Sequence, residues 1–475
     1  MLSSMVAQRA CIMVWDGLRP DMVSRELTPY LWRLAEEGVW FERSYAVYPT
    51  LTRANSPAIS TGCRPGRAGV PGNTFCLPAG GGWATFSSGD ATNLQRLAAA
   101  DGRPVLLVDT LADRVHRAGG RTVVVGSGSP GSAWLQHPRA SETGDLVIAN
   151  GVPGMESTLD ALRARFGPPP RQALPATRWT SYFTRVITDY VVPELAPMLL
   201  VFWHTDPDHT SHFRGLLAPE TAQAVHDADQ NLGKILESYD RSGLRATTDF
   251  IVTSDHGSST ITRRVQPAQD LAKAVGSGVV AENGGSAFVY GSANVALRAV
   301  RELDYAGPVF TRDGGERSMP LDMLGLDGPR APDVVFSLAW SDQEVDGVAG
   351  AAVGTYSKLV VDHGTISPFD LHNTLVAHGP DFRTAWRDAV PVGNIDICPT
   401  LTHVLGLDPG TRCDGRVLWE ALRDGAQQPP DWHSHEEVTS FSARGREWRQ
   451  RVWFEQVGTT SYVSGGSVQT ATGAG

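Results

Sequence analysis

Three short, unbroken apolar runs stand out along the chain: residues 10–15 (ACIMVW), 198–203 (MLLVFW) and 250–253 (FIVT). Runs of this length without polar alternation are expected of strands covered on both faces, as in a parallel sheet. Between them the apolar positions change to a helical period. Thr28-Pro29 marks a helix start, Leu31, Leu34 and Ala35 share a face, and Gly38 marks the stop. Residues 218–239 place Ala222, Val225, Ala228, Leu232 and Ile235 on one side of a long helix. Residues 110–117 predict a helix ended by Gly119-Gly120, and residues 122–125 a strand. A helix is also predicted to open within 56–60, whereas the glycine- and proline-rich stretch 62–82 reads as loop. The rhythm is that of an α/β domain built on a mainly parallel sheet.

From 261 to 350 the texture changes to short strands and turns, which predicts an inserted cap subdomain. The core is then discontinuous, 8–260 and 351–463. A last helix is expected near 417–423 and an edge hairpin over 435–465. The glycine- and serine-rich end, 464–475, is expected to be a flexible tail.

Composition narrows the possible partners. The 475 residues carry a formal net charge of −10 with no basic block, which argues against a nucleic-acid polymer. Five cysteines, odd in number and without a CxxC pair, read as reduced thiols. No apolar run reaches membrane-spanning length, so no membrane partner is expected. Only about nine residues precede the first strand, too few for a secretory signal, so the expected location is cytoplasmic, as monomer or homodimer.

Each apolar strand leads into acids. The first ends at Asp16, the second runs into Asp206-Pro207-Asp208, and the third ends at Asp255-His256. Ligands collect at the carboxyl ends of parallel strands, and carboxylates gathered there repel unless a cation joins them. Imidazoles accompany them: His212 follows Asp208 by one helical turn, His256 adjoins Asp255, and His363 lies in VDHGTISP. Mixed carboxylate and imidazole donors suit zinc better than calcium or magnesium. A threonine hydroxyl beside such ions becomes a usable nucleophile, and Thr52 in YPTLTRAN is the candidate, with Thr50 as competitor.

With these pieces in place the chain resembles the nucleotide pyrophosphatase/phosphodiesterase branch of the alkaline phosphatase superfamily. The matching motifs are DGLRPDM, TPYLWRLAEEGVWF, YPTLTRAN, TGCRPGRAGVPGN, DPDHTSH, TSDHG, DHG and HGPDF, in the family's order and spread across 10–400. The resemblance implies an alkaline-phosphatase-like three-layer sandwich with the inserted cap. It implies two divalent ions, expected to be Zn2+. Asp208, His212 and His363 would hold one; Asp16, Asp255 and His256 the other, with Thr52 on it. Asn73 and the Thr52 backbone N–H would hold a phosphoryl oxygen. The implied reaction is hydrolysis of a small phosphoester or nucleotide substrate, a phosphodiester or nucleotide pyrophosphate bond, through a phospho-threonine. Phosphomonoesterase, phosphonate hydrolase and sulfatase chemistry on the same metals are the enzymatic alternatives. A catalytically silent metal-binding interaction protein is the non-enzymatic one.

The chain departs from the family beside the nucleophile. Arg53 and Ala54 stand where phenylalanine and proline are common, so Arg53 is read as a contact for a second phosphate or anionic substituent. Two further matches are discounted. Residues 126–131 fit GxGxxG but lack a long following helix. Cys63 to Arg67 fits the sulfatase CxPxR pattern, but the nucleophile's spacing from Thr61 selects Thr52.

Overall fold

The apolar runs form neighbouring parallel strands. Arg9–Trp15 lies between Leu199–His204 and Thr248–Thr253, with Trp15 beside His204 and Val14 beside Thr253. The computed structural model of the protein describes residues 7–291, 293–315, 318–425, 428–443 and 446–472. The sheet has eight strands. It extends through Thr122–Gly126 to Leu146–Ala149 on one side, and through Leu375–His378 and Val39–Phe41 to Trp386–Asp388 on the other. All run in one direction except Leu375–His378.

Helices cover both faces, which makes three layers. Cys11, Met13 and Trp15 pack into one core with Leu31, Leu34, Val225 and Leu232. Ala10, Ile12 and Val14 point the other way, into a core with Ile59, Leu94, Leu97 and Leu111. Alternate strand residues face opposite sides, so both faces must be apolar, and the runs lack polar interruption for that reason.

The long helix is Pro219–Arg241, and the first helix is Pro29–Glu37. Thr28 occupies the N-cap position of Pro29–Glu37 without capping it: its hydroxyl bonds back to Ser24. Asp229 of the long helix takes over, accepting the N–H groups of Tyr30 and Leu31 at 3.1 and 2.8 Å. The cap thus comes from tertiary packing rather than local sequence.

The segment 261–350 carries a separate five-stranded sheet, Val279–Asn283, Ser286–Tyr290, Ala306–Thr311, Met319–Pro320 and Val334–Leu338. Val289, Val300 and Phe336 share a core there. A four-stranded sheet joins Ser259–Arg264 to Trp340–Val345, Val348–Gly354 and Val361–Asp362, and sets Ser259 opposite Asp362.

Several local expectations fail. The 62–82 stretch is not all loop: Thr74–Ala79 pairs with Gly82–Ser87 as a hairpin, followed by a helix at Ala91–Asp101. The helix expected near 417–423 is only a 3₁₀ turn, Trp419–Ala421. The edge hairpin is a three-stranded meander, Trp432–Ala443, Arg446–Val457 and Thr460–Thr472. Its last strand occupies most of the supposed flexible tail; residues 473–475 lie outside the described residues. The small residues there make room for indole rings. A Cβ on Gly465 would lie 2.3 Å from the Trp453 ring, and Trp340 donates to the Gly466 carbonyl at 2.7 Å. Glycine in this strand marks close packing, not mobility.

Asp249, at the start of Thr248–Thr253, is fully buried with Asp381 beside it. Burial, then the Asp381 charge, pushes its carboxyl up to about 8. A raised folded-state value stabilises the fold below the unfolded value of about 4, and that stability is lost as pH rises towards about 8. The thermal midpoint should therefore fall less between about pH 5 and about pH 8 in Asp249→Asn than in the parent chain. Parallel pH profiles of the two proteins would refute this.

Candidate metal centre and nucleophile

The parallel register brings the strand ends together. The Asp16 N–H donates to the His204 carbonyl at 3.1 Å, and the Asp208 N–H to the Asp16 carbonyl at 3.0 Å. Asp208 opens the short helix Asp208–Arg214, so His212 returns to the same side one turn later. His212 Nε2 lies 2.9 Å from Asp208 Oδ2. Asp206 is committed elsewhere: its carboxylate accepts from the Ala176 and Thr210 N–H groups and fixes the start of this helix. Asp255 accepts the Gly17 N–H at 3.1 Å, and His256 Nε2 lies 3.2 Å from Asp255 Oδ2 and 3.4 Å from Asp16 Oδ1. His363 stacks on His256 with ring centroids 3.6 Å apart, and its Nε2 lies 3.9 Å from Asp208 Oδ1.

Every predicted metal donor thus converges on one edge of the sheet. Three groups bring their donor atoms within 4.8 Å of one another: Asp16, Asp255 and His256; Asp208, His256 and His363; His212, Asp362 and His363. Each histidine has one ring nitrogen tied to a backbone carbonyl: His212 Nδ1 to Val361, His256 Nδ1 to Gly257 and His363 Nδ1 to Thr50, at 2.7, 2.8 and 2.7 Å. Nδ1 must donate there, which leaves each Nε2 lone pair for an acceptor role inside the cluster.

The residues fit metal ions on a second count. Asp16 Oδ1, Asp208 Oδ1, Asp255 Oδ2 and Asp362 Oδ2 are buried without a hydrogen-bond partner. Burial, then the charges of Asp255 and Asp208, hold the Asp16 carboxyl well above the usual carboxylate range. Burial also raises Asp255, and pushes Asp362 up to about 7. Burial and the His256 ring hold His363 well below an ordinary histidine. The second pair shifts the other way: against burial, the His212 ring holds Asp208 below the usual carboxylate range, and Asp208 pushes His212 up to about 9. Asp16, Asp255 and Asp362 are the carboxylates left short of positive charge.

Thr52 is the first residue of the helix Thr52–Thr61, which begins earlier than the sequence pattern predicts. Its Oγ1 lies 3.2 Å from His256 Nε2, at the edge of the donor cluster. Thr50 is otherwise engaged: its hydroxyl donates to the Thr365 carbonyl at 2.8 Å and accepts the Gly364 N–H at 3.0 Å. Asn73 Oδ1 accepts the Arg53 N–H at 3.2 Å, which fixes the amide orientation and leaves Nδ2 as the available donor. The Arg53 side chain is half-buried, with Nε lacking a partner and the charges of Asp16, Asp208 and Asp255 acting on it.

Comparison with known proteins supplies the family. A family model described as type I phosphodiesterase / nucleotide pyrophosphatase matches residues 10–311. The chain belongs to this family. Human ectonucleotide pyrophosphatase/phosphodiesterase family member 7 is 32% identical over 88 residues, 18% of this chain and 19% of the relative. Human family member 5 is 22% identical over 253 residues, 53% of this chain and 45% of the relative. The chain therefore spans less than half the length of the curated relatives it matches. Among solved structures, murine and human ectonucleotide pyrophosphatase/phosphodiesterase 5 superpose with TM-score 0.64 at 18% identity, covering 87% of this chain and 100% of theirs. The alkaline-phosphatase-like fold is thereby established, and the expectation of a phosphodiesterase-type hydrolase holds at the level of the family.

Within this chain, sequence reasoning missed Asp362. Asp255-His256-Gly257 and Asp362-His363-Gly364 are the same tripeptide, and both bring the acid into the cluster. Trp203 was also missed: its indole N–H donates to Asp16 Oδ2 at 2.9 Å. His204 takes no part. It is buried, lies 3.3 Å from the Asn231 amide, and is driven down to about 3 by burial. The GxGxxG look-alike opens only the five-residue helix Pro130–Trp134. A Cβ on Gly131 would lie 1.9 Å from the Ser88 carbonyl, so that glycine serves close packing. Cys63 sits past the opposite end of the Thr52 helix, about 15 Å along the axis.

Gly17 occupies φ +70°, and a Cβ there would lie 2.9 Å from Asp208 Cβ. Gly17→Ala should cost about 1–2 kcal/mol for the left-handed backbone alone. It should also shift Asp208 and weaken divalent-metal binding about tenfold or more. Calorimetric titration of zinc into the chelated protein measures this; unchanged affinity would show that Asp208 is held independently.

Proposed function

We propose that the chain is a metal-dependent phosphoesterase that cleaves phosphodiester or nucleotide pyrophosphate bonds with Thr52 as nucleophile. The observation that carries this reading is the position of Thr52 Oγ1, 3.2 Å from His256 Nε2 while that ring also faces Asp16 and Asp255. Asp16, Asp255 and His256 would hold one divalent ion, and Asp208, His212 and His363 the other, with zinc favoured by the mixed oxygen and nitrogen donors. Such ions lower the pKa of a hydroxyl and neutralise charge on phosphoryl oxygens.

The protein's own part follows from its geometry. The Thr52 helix begins at the site, so the Thr52 backbone N–H and the positive end of the helix dipole face an incoming phosphate, while the next three N–H groups are taken by Asn73 Oδ1 and the Leu51 carbonyl. Asn73 Nδ2 donates to a phosphoryl oxygen, since its Oδ1 is occupied by the Arg53 N–H. Thr52 attacks phosphorus in line and the leaving alcohol or nucleotide departs. Water then cleaves the phospho-threonine from the opposite side and restores the hydroxyl. An inactive variant of the murine relative was solved in complex with AMP, which supports a nucleoside monophosphate as one half of the substrate here.

A second reading, phosphomonoesterase, draws on one feature. Arg53 is a guanidinium beside the nucleophile with an unpartnered Nε, and a terminal phosphate carries one more charge than a diester. A panel of chromogenic monoester, diester, phosphonate and sulfate substrates separates the classes. The diester should turn over fastest, and a monoester rate equal to or above it would reverse the choice. Thr52→Ala should lower kcat by about 10³-fold or more with about two metal ions per chain retained. Chelation should abolish turnover and zinc should restore it; full restoration by magnesium alone would reject zinc.

A further inference from the structure

Past the end of the nucleophile helix lies a second chemically distinctive cluster, independent of the metal centre. Cys63, Cys398 and Cys413 arrive from three separate segments as free thiols; Cys413 is partly exposed and the other two are buried. Cys413 Sγ lies 3.3 Å from the Thr61 carbonyl oxygen, and Cys63 Sγ 3.7 Å from that same oxygen. The segments that carry these two are already joined, because the Asp414 and Gly415 N–H groups both donate to the Gly62 carbonyl, at 2.9 and 3.1 Å.

Beside them is Arg114, only 1% exposed. Its Nη1 donates to Thr402 Oγ1 at 2.9 Å, and its Nη2 to the Thr411 carbonyl at 3.0 Å and to Cys413 Sγ at 3.4 Å; Nε is buried without a partner. A guanidinium keeps its proton at any physiological pH, and a buried cation needs an anion. Of the atoms it contacts, the one that can ionise is the Cys413 sulfur. Contacts from the Cys398 and Cys63 thiols, with Arg114 behind them, draw the Cys413 thiol far below its ordinary range. Two acids near the cluster are already paired with other cations: Asp414 with Arg67 at 2.8 Å, and Asp109 with Arg117 at 3.0 Å.

We propose that Cys413 is a reactive thiolate held by Arg114, and that a hydroperoxide converts it and Cys63 into a disulfide. The Cys413 sulfur attacks a peroxide oxygen. The O–O bond breaks, hydroxide or alkoxide leaves and takes up a proton, and Cys413 becomes a sulfenic acid. The Cys63 sulfur then attacks Cys413. The S–S bond forms, the S–O bond breaks, and water departs with the Cys63 proton. Two thiols lose two electrons and the peroxide gains them. Partial exposure makes Cys413 the sulfur that meets the oxidant; burial and the shared Thr61 carbonyl make Cys63 the partner that resolves it.

The test uses the full reduced chain, treated with a few equivalents of hydrogen peroxide under native conditions, then alkylated and mapped by peptide mass spectrometry. Two alkylatable thiols should be lost, with one linked pair, Cys63–Cys413. Cys63→Ser should instead leave a Cys413 sulfenic acid that a cyclic 1,3-diketone traps. Without peroxide, alkylation of Cys413 in the parent chain should be nearly independent of pH between about 6 and about 8, where an ordinary thiol with pKa of about 8.5 gains roughly tenfold per pH unit. Arg114→Met should restore that ordinary slope. The parent chain's own profile decides the matter if this variant does not fold. A Cys398–Cys413 link, no link at all, or an ordinary slope in the parent chain overturns the proposal.

Discussion

Like charges buried side by side repel, and that repulsion organises the carboxyl edge of the sheet. The parallel register delivers Asp16 and Asp255 to adjacent strand ends, and the next strand leads into Asp208. Three of the four acids are divided in the same way; in the fourth, Asp208, Oδ2 faces His212 Nε2 instead. One oxygen is held by the scaffold: Asp16 Oδ2 by the Trp203 indole, Asp255 Oδ1 by the Gly17 N–H, Asp362 Oδ1 by the His363 N–H. The other oxygen in each case is buried and unpartnered. Buried polar atoms seldom go unsatisfied by accident, and four orphaned carboxylate oxygens in one place call for cations rather than for more protein donors.

The histidines follow the same division of labour, with Nδ1 to the scaffold and Nε2 to the centre. The scaffold atom in two cases belongs to another loop of the site. His212 leans on the Val361 carbonyl, two residues before His363, and His363 leans on the Thr50 carbonyl, two residues before Thr52. Loops from three distant parts of the sequence therefore fix one another's ring orientations. Outer contacts of this kind orient metal ligands and set their basicity, and here they also tie the Thr52 segment to the imidazoles it faces. Thr50 and Thr52 look interchangeable in the motif. The former secures the His363 loop through its hydroxyl and carbonyl, which leaves the latter facing the donors.

How legible this was in the sequence depended on the range of the interactions involved. The central strands were readable because a strand buried on both faces has no polar position to spare. The acids at their ends were readable because parallel strands share one functional edge. Asp208 and His212 were readable because one helical turn sets their common direction. Features fixed by a distant partner were not. The Thr28 cap gave way to Asp229, and the Thr74–Ala79 strand depends on its pairing with Gly82–Ser87. The Gly465 and Gly466 positions depend on Trp453 and Trp340. Asp362 lies within the DHG motif, but strand pairing with Ser259, a distant partner, is what carries it to the cluster.

Charge balance connects this arrangement to substrate choice on the proposed reading. The carboxylates of Asp16, Asp208, Asp255 and Asp362 would match two divalent ions, leaving Arg53 to offset the negative charge that Thr52 develops as it attacks. An incoming diester adds a single negative charge, which the helix start and Asn73 can receive through partial charges. A monoester adds a second, and Arg53 then has to serve both that charge and the Thr52 oxygen.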